Sequence, residues 1–456
     1  MGANGAFYFW DDLPIGDVII LMSKKIFLIE KFFVCLFVFC LPWQTRLILF
    51  KQGVVFNEWQ SGFFYLTDLL FGAFLLLWLV RIFTGKNKPV FENFRLEIIL
   101  GAFWLLGGAS VFFAFDRVLG AYSFVRLTEL LLIFFYFRQN FKNFSAENLF
   151  VVFLLAGVFQ AVLAIGQFFK QASFGLKWLG EAPLSRDIAG VAKIDFLGQK
   201  IIRAYGTFPH PNLLAIFLAV VLLVFVAYIL KRGFQSWQIA PLGIVYLGLL
   251  TSFARLAIIL TLVALILIFG YELWRKINRK RVLGLMFLFV VFSALAFSFV
   301  GNVVRQRFNV SQTINSQAVD LRVYYNKIGW EVFKQNPWGV GVGNFVPVFK
   351  NNLNRLGVKL DDWMFQPIHN LYLLIAVELG FVGVVVFLWF LWEMLRRILS
   401  DFRGELRVLF LLIFCAFLIQ GFFDHYFWTL QQGRLIFWAV LGIMAGYSDE
   451  KRPLAR

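Results

Sequence analysis

The chain has three histidines, His210, His369 and His425. Each stands at the edge of a long apolar run. His210 lies in Arg203-Ala-Tyr-Gly-Thr-Phe-Pro-His-Pro-Asn212, His369 in Gln366-Pro-Ile-His-Asn370, and His425 directly follows Asp424. An imidazole near its ordinary pKa exchanges protons at neutral pH, which suits a general base. The spacing does not suit a metal. No Glu-x-x-His or His-x-x-x-His pattern occurs, and Cys35, Cys40 and Cys415 sit in apolar runs without a Cys-x-x-Cys pair. Those thiols read as small buried hydrophobes. Arginines supply a second kind of chemistry. Arg203 opens the Thr-Phe-Pro-His-Pro-Asn stretch, Arg255 ends the apolar Thr251-Ser-Phe-Ala-Arg255, and Arg322 lies on a predicted loop helix. A guanidinium grips phosphate oxygens with a two-pronged donor fork, so arginines at a membrane edge suit a lipid-linked phosphate or pyrophosphate. Each residue also has a plainer reading. An interfacial Arg snorkels to headgroups, Arg322 is a solvated helix face, His210 caps the next helix, His425 pairs with Asp424, and His369-Asn370 opens an ordinary helix. Arg255 stands out because its apolar neighbours give it little other reason to be there.

The elements that must position these side chains are membrane helices. Of the 456 residues 61% are hydrophobic and 15% charged, with 60 Phe and a mean hydropathy of +0.77. A soluble domain, a disordered chain and a fibrous repeat are excluded. A span of the bilayer core takes about 20 apolar residues. The expected fold is an all-α integral membrane protein with about twelve transmembrane helices, near 26–42, 63–83, 96–115, 118–137, 148–169, 211–230, 238–253, 256–273, 282–300, 369–394, 407–426 and 431–447. The pair around 238–273 reads either as two short spans with a hairpin at Ser252–Arg255 or as one long broken helix.

The net charge of +17, from 43 Lys and Arg against 26 Asp and Glu, is mostly topology. With the N-terminus inside, the inside segments collect Lys24 and Lys25, Arg81, Lys86, Lys88, Arg95, Arg138, Lys142, Lys231, Arg232, the run from Arg275 to Arg281, Arg396, Arg397, Arg403, Arg407, Lys451, Arg452 and Arg456. The short outside loops hold only Arg46, Lys51, Arg117, Arg255 and Arg434. Both termini are therefore expected in the cytoplasm. The domain plan is a cytoplasmic segment over 1–25, helices over 26–169, an outer loop over 170–210, helices over 211–300, a large outer loop over 301–368 between spans nine and ten, helices over 369–447, and a tail over 448–456. The outer loops are net basic: six Lys and Arg against three Asp and Glu over 170–210, and eight against four over 301–368. Residues 1–21 do not read as a signal peptide, and Met22-Ser23-Lys24-Lys25 is the more natural start. The large loop carries a predicted helix from Ser316 to Gln335, with Leu321, Tyr325, Ile328 and Val332 at helical spacing, closed by Asn336-Pro337. The run Gly339-Val-Gly-Val-Gly-Asn344 then forces a tight turn. It is no nucleotide fingerprint, since a helix precedes it and no parallel sheet is available; it is expected to fold the loop back onto the membrane.

Taken together, Thr-Phe-Pro-His-Pro-Asn (207–212), Ser-Phe-Ala-Arg (252–255), Arg322 with Trp330, Asn336-Pro337, Gly339 to Asn344, His369-Asn370-Leu-Tyr372 and Glu378-Leu-Gly-Phe-Val-Gly383 resemble the O-antigen ligase and O-antigen polymerase superfamily of membrane glycosyltransferases over roughly 200–395. Leu256 departs from the family pattern, which has a small residue after the Arg of the Ser-x-Arg hairpin, and so does His210 before Pro-Asn. The resemblance implies transfer of a glycan from a polyprenyl (undecaprenyl) pyrophosphate carrier to an acceptor hydroxyl at the outer face of the cytoplasmic membrane. The acceptor would be lipid A core of lipopolysaccharide, a growing polysaccharide or a protein serine. It further implies His369 as base, with Arg255 and Arg322 on the pyrophosphate. Arg203, His210, Asn212, Asn370 and Tyr372 are the candidate substrate-binding residues. Neither cofactor nor metal is expected, nor any nucleic-acid partner. Ligase, polymerase and O-linked protein oligosaccharyltransferase are not separated by sequence. A transporter or flippase of lipid-linked sugars would predict similar halves and broken mid-membrane helices; no internal repeat is present, and the candidate polar residues cluster at one face. A non-catalytic scaffold for envelope assembly would not need the arginines and His369 to converge.

Overall fold

A computed structural model describes residues 15–53, 55–84, 94–144, 146–196, 198–308, 313–355, 360–361 and 364–451. The first half comprises α1 (Ile15–Cys40), a hairpin of β1 (Arg46–Lys51) and β2 (Ser61–Tyr65), α2 (Leu66–Thr84), α3 (Phe94–Phe112), α4 (Arg117–Asn140) and α5 (Ala146–Lys170). A second hairpin, β3 (Lys193–Phe196) and β4 (Gln199–Ile202), precedes α6 (Pro211–Arg232), α7 (Ile239–Thr251), α8 (Arg255–Trp274) and α9 (Arg279–Phe308). Then come α10 (Thr313–Gln335), α11 (Phe345–Arg355), α12 (Leu371–Asp401), α13 (Gly404–Phe423), the short α14 (Tyr426–Thr429) and α15 (Gln431–Lys451).

Each expected span overlaps a helix, although the stretch expected from residue 63 begins in β2 and the one expected to residue 426 runs past the end of α13 at Phe423. Among the described residues nine helices are long and apolar enough to cross a membrane: α2, α3, α4, α5, α6, α8, α9, α12 and α13. The open choice around 238–273 resolves into two helices, because Phe253 takes a left-handed φ of 49° and breaks the run before Arg255. Helix α1 begins at Ile15 rather than at residue 26 and passes through Met22–Lys25 without interruption. The loop helix expected from Ser316 begins at Thr313. The proposed extension over 1–21 and the tail over 448–456 lie largely outside the described residues. The mostly helical architecture gains two antiparallel hairpins, which apolar periodicity alone did not reveal.

Helix α6 is the pillar of the bundle. It is apolar on all sides, and most of its residues are buried, as expected of a helix enclosed by others. Helices α4 and α15 pack closely because Gly442 and Gly446 present no side chain: a Cβ would come within 2.6 Å of the Phe134 and Arg138 carbonyl oxygens respectively. Four-residue spacing puts both glycines on one face, as in other close membrane crossings. At the end away from the histidines, buried charges are paired. Arg81 donates to both oxygens of Glu30, at 2.9 and 3.0 Å, and Arg138 meets Glu97 at 2.6 Å.

The glycine run does fold its loop back, and helix α12 receives it. Gly380 breaks α12 with φ 74°. That break frees carbonyls from the helical ladder, and buried carbonyls need donors. Val340 N–H donates to Val377 O and Gly341 N–H to Glu378 O, each at 3.0 Å, while Phe381 N–H donates to Pro337 O at 2.9 Å. The approach is so close that a Cβ on Gly339 would meet Glu378 O at 2.6 Å, and one on Gly380 would meet Trp338 O at 2.5 Å. This lock fixes the upper turn of α12, and with it the His369-Asn370 start of that helix.

Candidate active site

The three histidines converge. The His369 and His425 rings meet edge to face with centroids 4.9 Å apart, and His210 packs on Tyr426 at 5.1 Å. They line a cavity of about 320 Å³ together with Trp59, Gln366 and Tyr426. Helix starts position two of them. His210 is the N-cap of α6: its Nδ1 accepts from Asn212 N–H at 3.2 Å, and Pro211 takes the first helical position, where its missing N–H costs nothing. Its capping role is thus real, yet the ring also meets the Tyr426 hydroxyl at 2.9 Å. Asn370 is the N-cap of α12, accepting from Leu373 N–H at 3.0 Å, and holds His369 one residue before the helix.

The His369 tautomer follows from its surroundings. Nδ1 faces the Pro367 carbonyl at 3.2 Å. A carbonyl only accepts, so Nδ1 carries the hydrogen and Nε2 keeps the lone pair. The ring stacks on Tyr325 at 5.6 Å and 14°, and the Tyr325 hydroxyl donates to Met364 O at 2.6 Å. The sequence suggested an imidazole near its normal pKa. In the structure burial, and then the nearby Arg322 charge, push His369 down to about 3. The reason is physical: a half-dry site next to a fixed cation disfavours a second cation. His425 is lowered too, by burial first and then by His369, His210 and Arg322. Both rings are neutral at pH 7.

Arg322 is the electrostatic centre. It donates to Asp424 Oδ1 at 3.2 Å, with about a third of its side chain exposed. Its charge acts on Arg203 and on Arg255 as well as on His369. Arg203 is buried and committed: Nε donates to Ser252 O at 2.7 Å and Nη2 to Asn212 Oδ1 at 2.7 Å. It therefore ties the Ser-Phe-Ala-Arg hairpin to the start of α6. Burial pulls it down to about 10, still a cation at neutral pH. Arg255 differs. Among the described residues it makes no hydrogen bond or ion pair, and its electrostatic partner is the like-charged Arg322.

Asp424, which the sequence offered only as a neighbour of His425, is the hub. Oδ2 accepts from Asn212 Nδ2 at 3.2 Å and from Gln420, and Oδ1 from Arg322. Burial raises its pKa against the pull of Arg322. The suggested Asp424–His425 pair does not form through those atoms; His425 Nδ1 instead bonds the Thr429 hydroxyl. Tyr372 faces another way: its hydroxyl donates to Leu418 O at 2.8 Å, tethering α12 to α13. The structure also brings in Trp59, whose ring meets His425 at 5.2 Å. It comes from the first hairpin loop, whose Asn57 reaches Phe365 O at 3.4 Å. An aromatic in a short polar loop carried no readable signal. Among the described residues no group of three or more His, Cys, Asp or Glu is placed to hold a metal ion.

No curated protein matches the chain. Residues 240–388 match the family model described as O-antigen ligase. That match spans α7 to the middle of α12, and so takes in Arg255, Arg322, the glycine lock and His369. Over residues 240–388 the chain is thus similar to the O-antigen ligase family.

Proposed function

We propose that the protein is a multi-pass glycosyltransferase of the cytoplasmic membrane that moves a glycan from polyprenyl pyrophosphate to an acceptor hydroxyl at the outer face. Both termini lie in the cytoplasm, twelve helices span the bilayer, and the segments over 170–210 and 301–368 face outward. The observation that carries the reading is Arg255, a cation with no hydrogen bond or ion pair among the described residues, near enough to Arg322 to feel its charge, while Arg322 in turn acts on the neutral His369. Two like charges near each other, with one carboxylate, Asp424, on Arg322, form a site short of one anion. A pyrophosphate supplies it.

The acceptor oxygen attacks the anomeric carbon, the bond from that carbon to the pyrophosphate oxygen breaks with inversion, and the pyrophosphate leaves with the electron pair. Arg255 and Arg322 stabilise the charge gathering on the leaving group without reorganising. His369 Nε2 takes the hydroxyl proton. With the donor bound, the pyrophosphate offsets the Arg322 field, so His369 is a stronger base in the complex than in the empty site. Arg203, Asn212 and Asp424 act through Arg322 by fixing its position. The acceptor is the hydroxyl of lipid A core, of a growing polysaccharide or of a protein.

The test is transfer by purified protein reconstituted with a polyprenyl-pyrophosphate glycan and each acceptor class. His369→Ala is expected to cut kcat about 10²–10⁴-fold, and Arg255→Ala to weaken donor binding more than it slows a saturated enzyme. Normal turnover by His369→Ala removes it as the base; unchanged donor binding by Arg255→Ala removes the pyrophosphate site.

A further inference from the structure

The histidine cavity and the arginines divide the site into two sides. Among the described residues the cavity walls include His369 and His425 but neither Arg255 nor Arg322. The one Asp, Glu, Lys or Arg in those walls is Glu58, and its charge is already met: Arg46 donates to both carboxylate oxygens, from Nη2 at 2.7 Å. His369 and His425 are neutral. With Nδ1 of His369 on the Pro367 carbonyl, its Nε2 holds a lone pair, which accepts an O–H and repels an anion. The cavity therefore suits a neutral, hydroxyl-bearing ligand, and the pyrophosphate belongs on the arginine side.

The loop of the first hairpin adds aromatic walls to the same cavity. Phe56 is 46% exposed and Trp59 is half-buried, and both line the space. Asn57 fixes the loop: its side chain accepts from Trp59 N–H at 2.9 Å, and its carbonyl accepts from Ser61 Oγ at 2.7 Å. Its amide also reaches Phe365 O, which ties the loop to the segment just before His369. Trp59 meets His425 at 86°, and an edge-to-face contact occupies at most one face of the indole. The face of an aromatic ring is its negative side. It attracts the C–H bonds on the face of a sugar ring, while hydroxyls on the sugar's edge supply the O–H donors that an imidazole lone pair takes. The cavity of about 320 Å³ falls in the range of small-molecule pockets, about 300–1,000 Å³, and takes one pyranose.

We infer that this cavity is the acceptor side of the site, with Trp59 and Phe56 as the platform for a sugar ring whose hydroxyl is the nucleophile, so that the first hairpin selects a sugar over a protein serine. The hairpin lies outside the residues that match the family model. The inference rests on the donor reading above, because a base must reach the proton it takes and His369 is the residue the two sides share. Its test uses the full chain in nanodiscs. The donor probe is the polyprenyl-pyrophosphate glycan from the cells that produce the protein. The acceptor probes are the oligosaccharide released by hydrolysis of those cells' envelope glycolipids and an end-blocked Ala-Ser-Ala peptide. Binding is followed by calorimetry and transfer by initial rates. Wild type is expected to bind and glycosylate the oligosaccharide and not the peptide. Trp59→Ala is expected to raise the oligosaccharide Kd and KM at least about tenfold, the scale of losing one aromatic anchor, with kcat little changed. Its donor Kd is expected to stay as in wild type, which also reports an intact fold. Trp59→Phe, which keeps a ring face, is expected to recover most of the loss, and Phe56→Ala, at an exposed position, to show a smaller one. Glycosylation of the peptide as readily as of the oligosaccharide overturns the inference and leaves the donor reading in place. So does an oligosaccharide Kd unmoved by both Trp59→Ala and Phe56→Ala, or moved only as far as the donor Kd. Failure of wild type to bind the donor overturns the donor reading and, with it, the acceptor role of the cavity.

Discussion

Acid sensitivity offers the most direct measurement on this site. His369 has a folded-state value of about 3 against an ordinary 6.5. The unfolded chain takes up the proton first. Stability from this group is therefore complete above about pH 6.5 and is lost as pH falls toward the folded value. One pH unit in that window is worth about 1.4 kcal/mol, so going from pH 7 to pH 5 withdraws on the order of 2 kcal/mol through this side chain. His425 shifts in the same direction and adds to the loss. Because the chain has three histidines, ring-labelled histidine gives three NMR signals in nanodiscs, assignable with His369→Gln. The His369 signal is expected to stay neutral through pH 5. Denaturant unfolding of His369→Gln is expected to lose less stability between pH 7 and pH 5 than wild type, by about that amount. Arg322→Gln is expected to raise the His369 midpoint, since the Arg322 charge is the second cause of its depression. A midpoint near 6.5 in wild type would refute the dry, cation-flanked site, and a midpoint unmoved by Arg322→Gln would refute the coupling.

Three further outcomes test the frame. Asp424→Asn keeps the shape but removes the Arg322 counter-ion and mismatches the donors from Asn212 and Gln420; we expect a loss of about 1–3 kcal/mol, and unfolding identical to wild type would show that Asp424 is no hub. Gly380→Ala sets a methyl 2.5 Å from Trp338 O at φ 74° and is expected to cost at least about 1–3 kcal/mol, whereas Gly270→Ala, which meets nothing within 4 Å, is not; equal behaviour of the two would dismiss the lock between loop and helix. Transfer is expected to survive EDTA, with arginines in the role of a metal; complete loss restored by Mg²⁺ would assign that role to the ion.

Much of the helical plan was legible because an apolar run of span length has one dominant solution in lipid: a helix that satisfies its own backbone. The twelve stretches, the loop helix and the fold-back of the glycine run could be read that way, and so could the chemical types of Arg255, Arg322 and His369. Element starts were less legible. Helix α1 runs on toward Ile15 through Lys24 and Lys25, where charge suggested an end, because local charge does not stop a helix whose hydrogen bonds continue. Both hairpins escaped notice, since short strands carry little periodicity.

What only the tertiary structure decided is which polar groups are spent and which are free. Arg203 and Arg255 look alike in sequence, yet one is bound to Ser252 O and Asn212 and the other has no hydrogen-bond or ion-pair partner among the described residues. Asp424 reads as an ordinary residue at a helix end, yet it gathers Arg322, Asn212 and Gln420, separated by as many as 212 positions. His369 looks like a histidine of normal pKa until burial and Arg322 are added. Composition and periodicity act over one or two helical turns, so they determine the elements and the kinds of side chain at their ends. Electrostatics and hydrogen bonding act through space, so protonation, pairing and vacancy were settled only when helices distant in the chain brought those ends together.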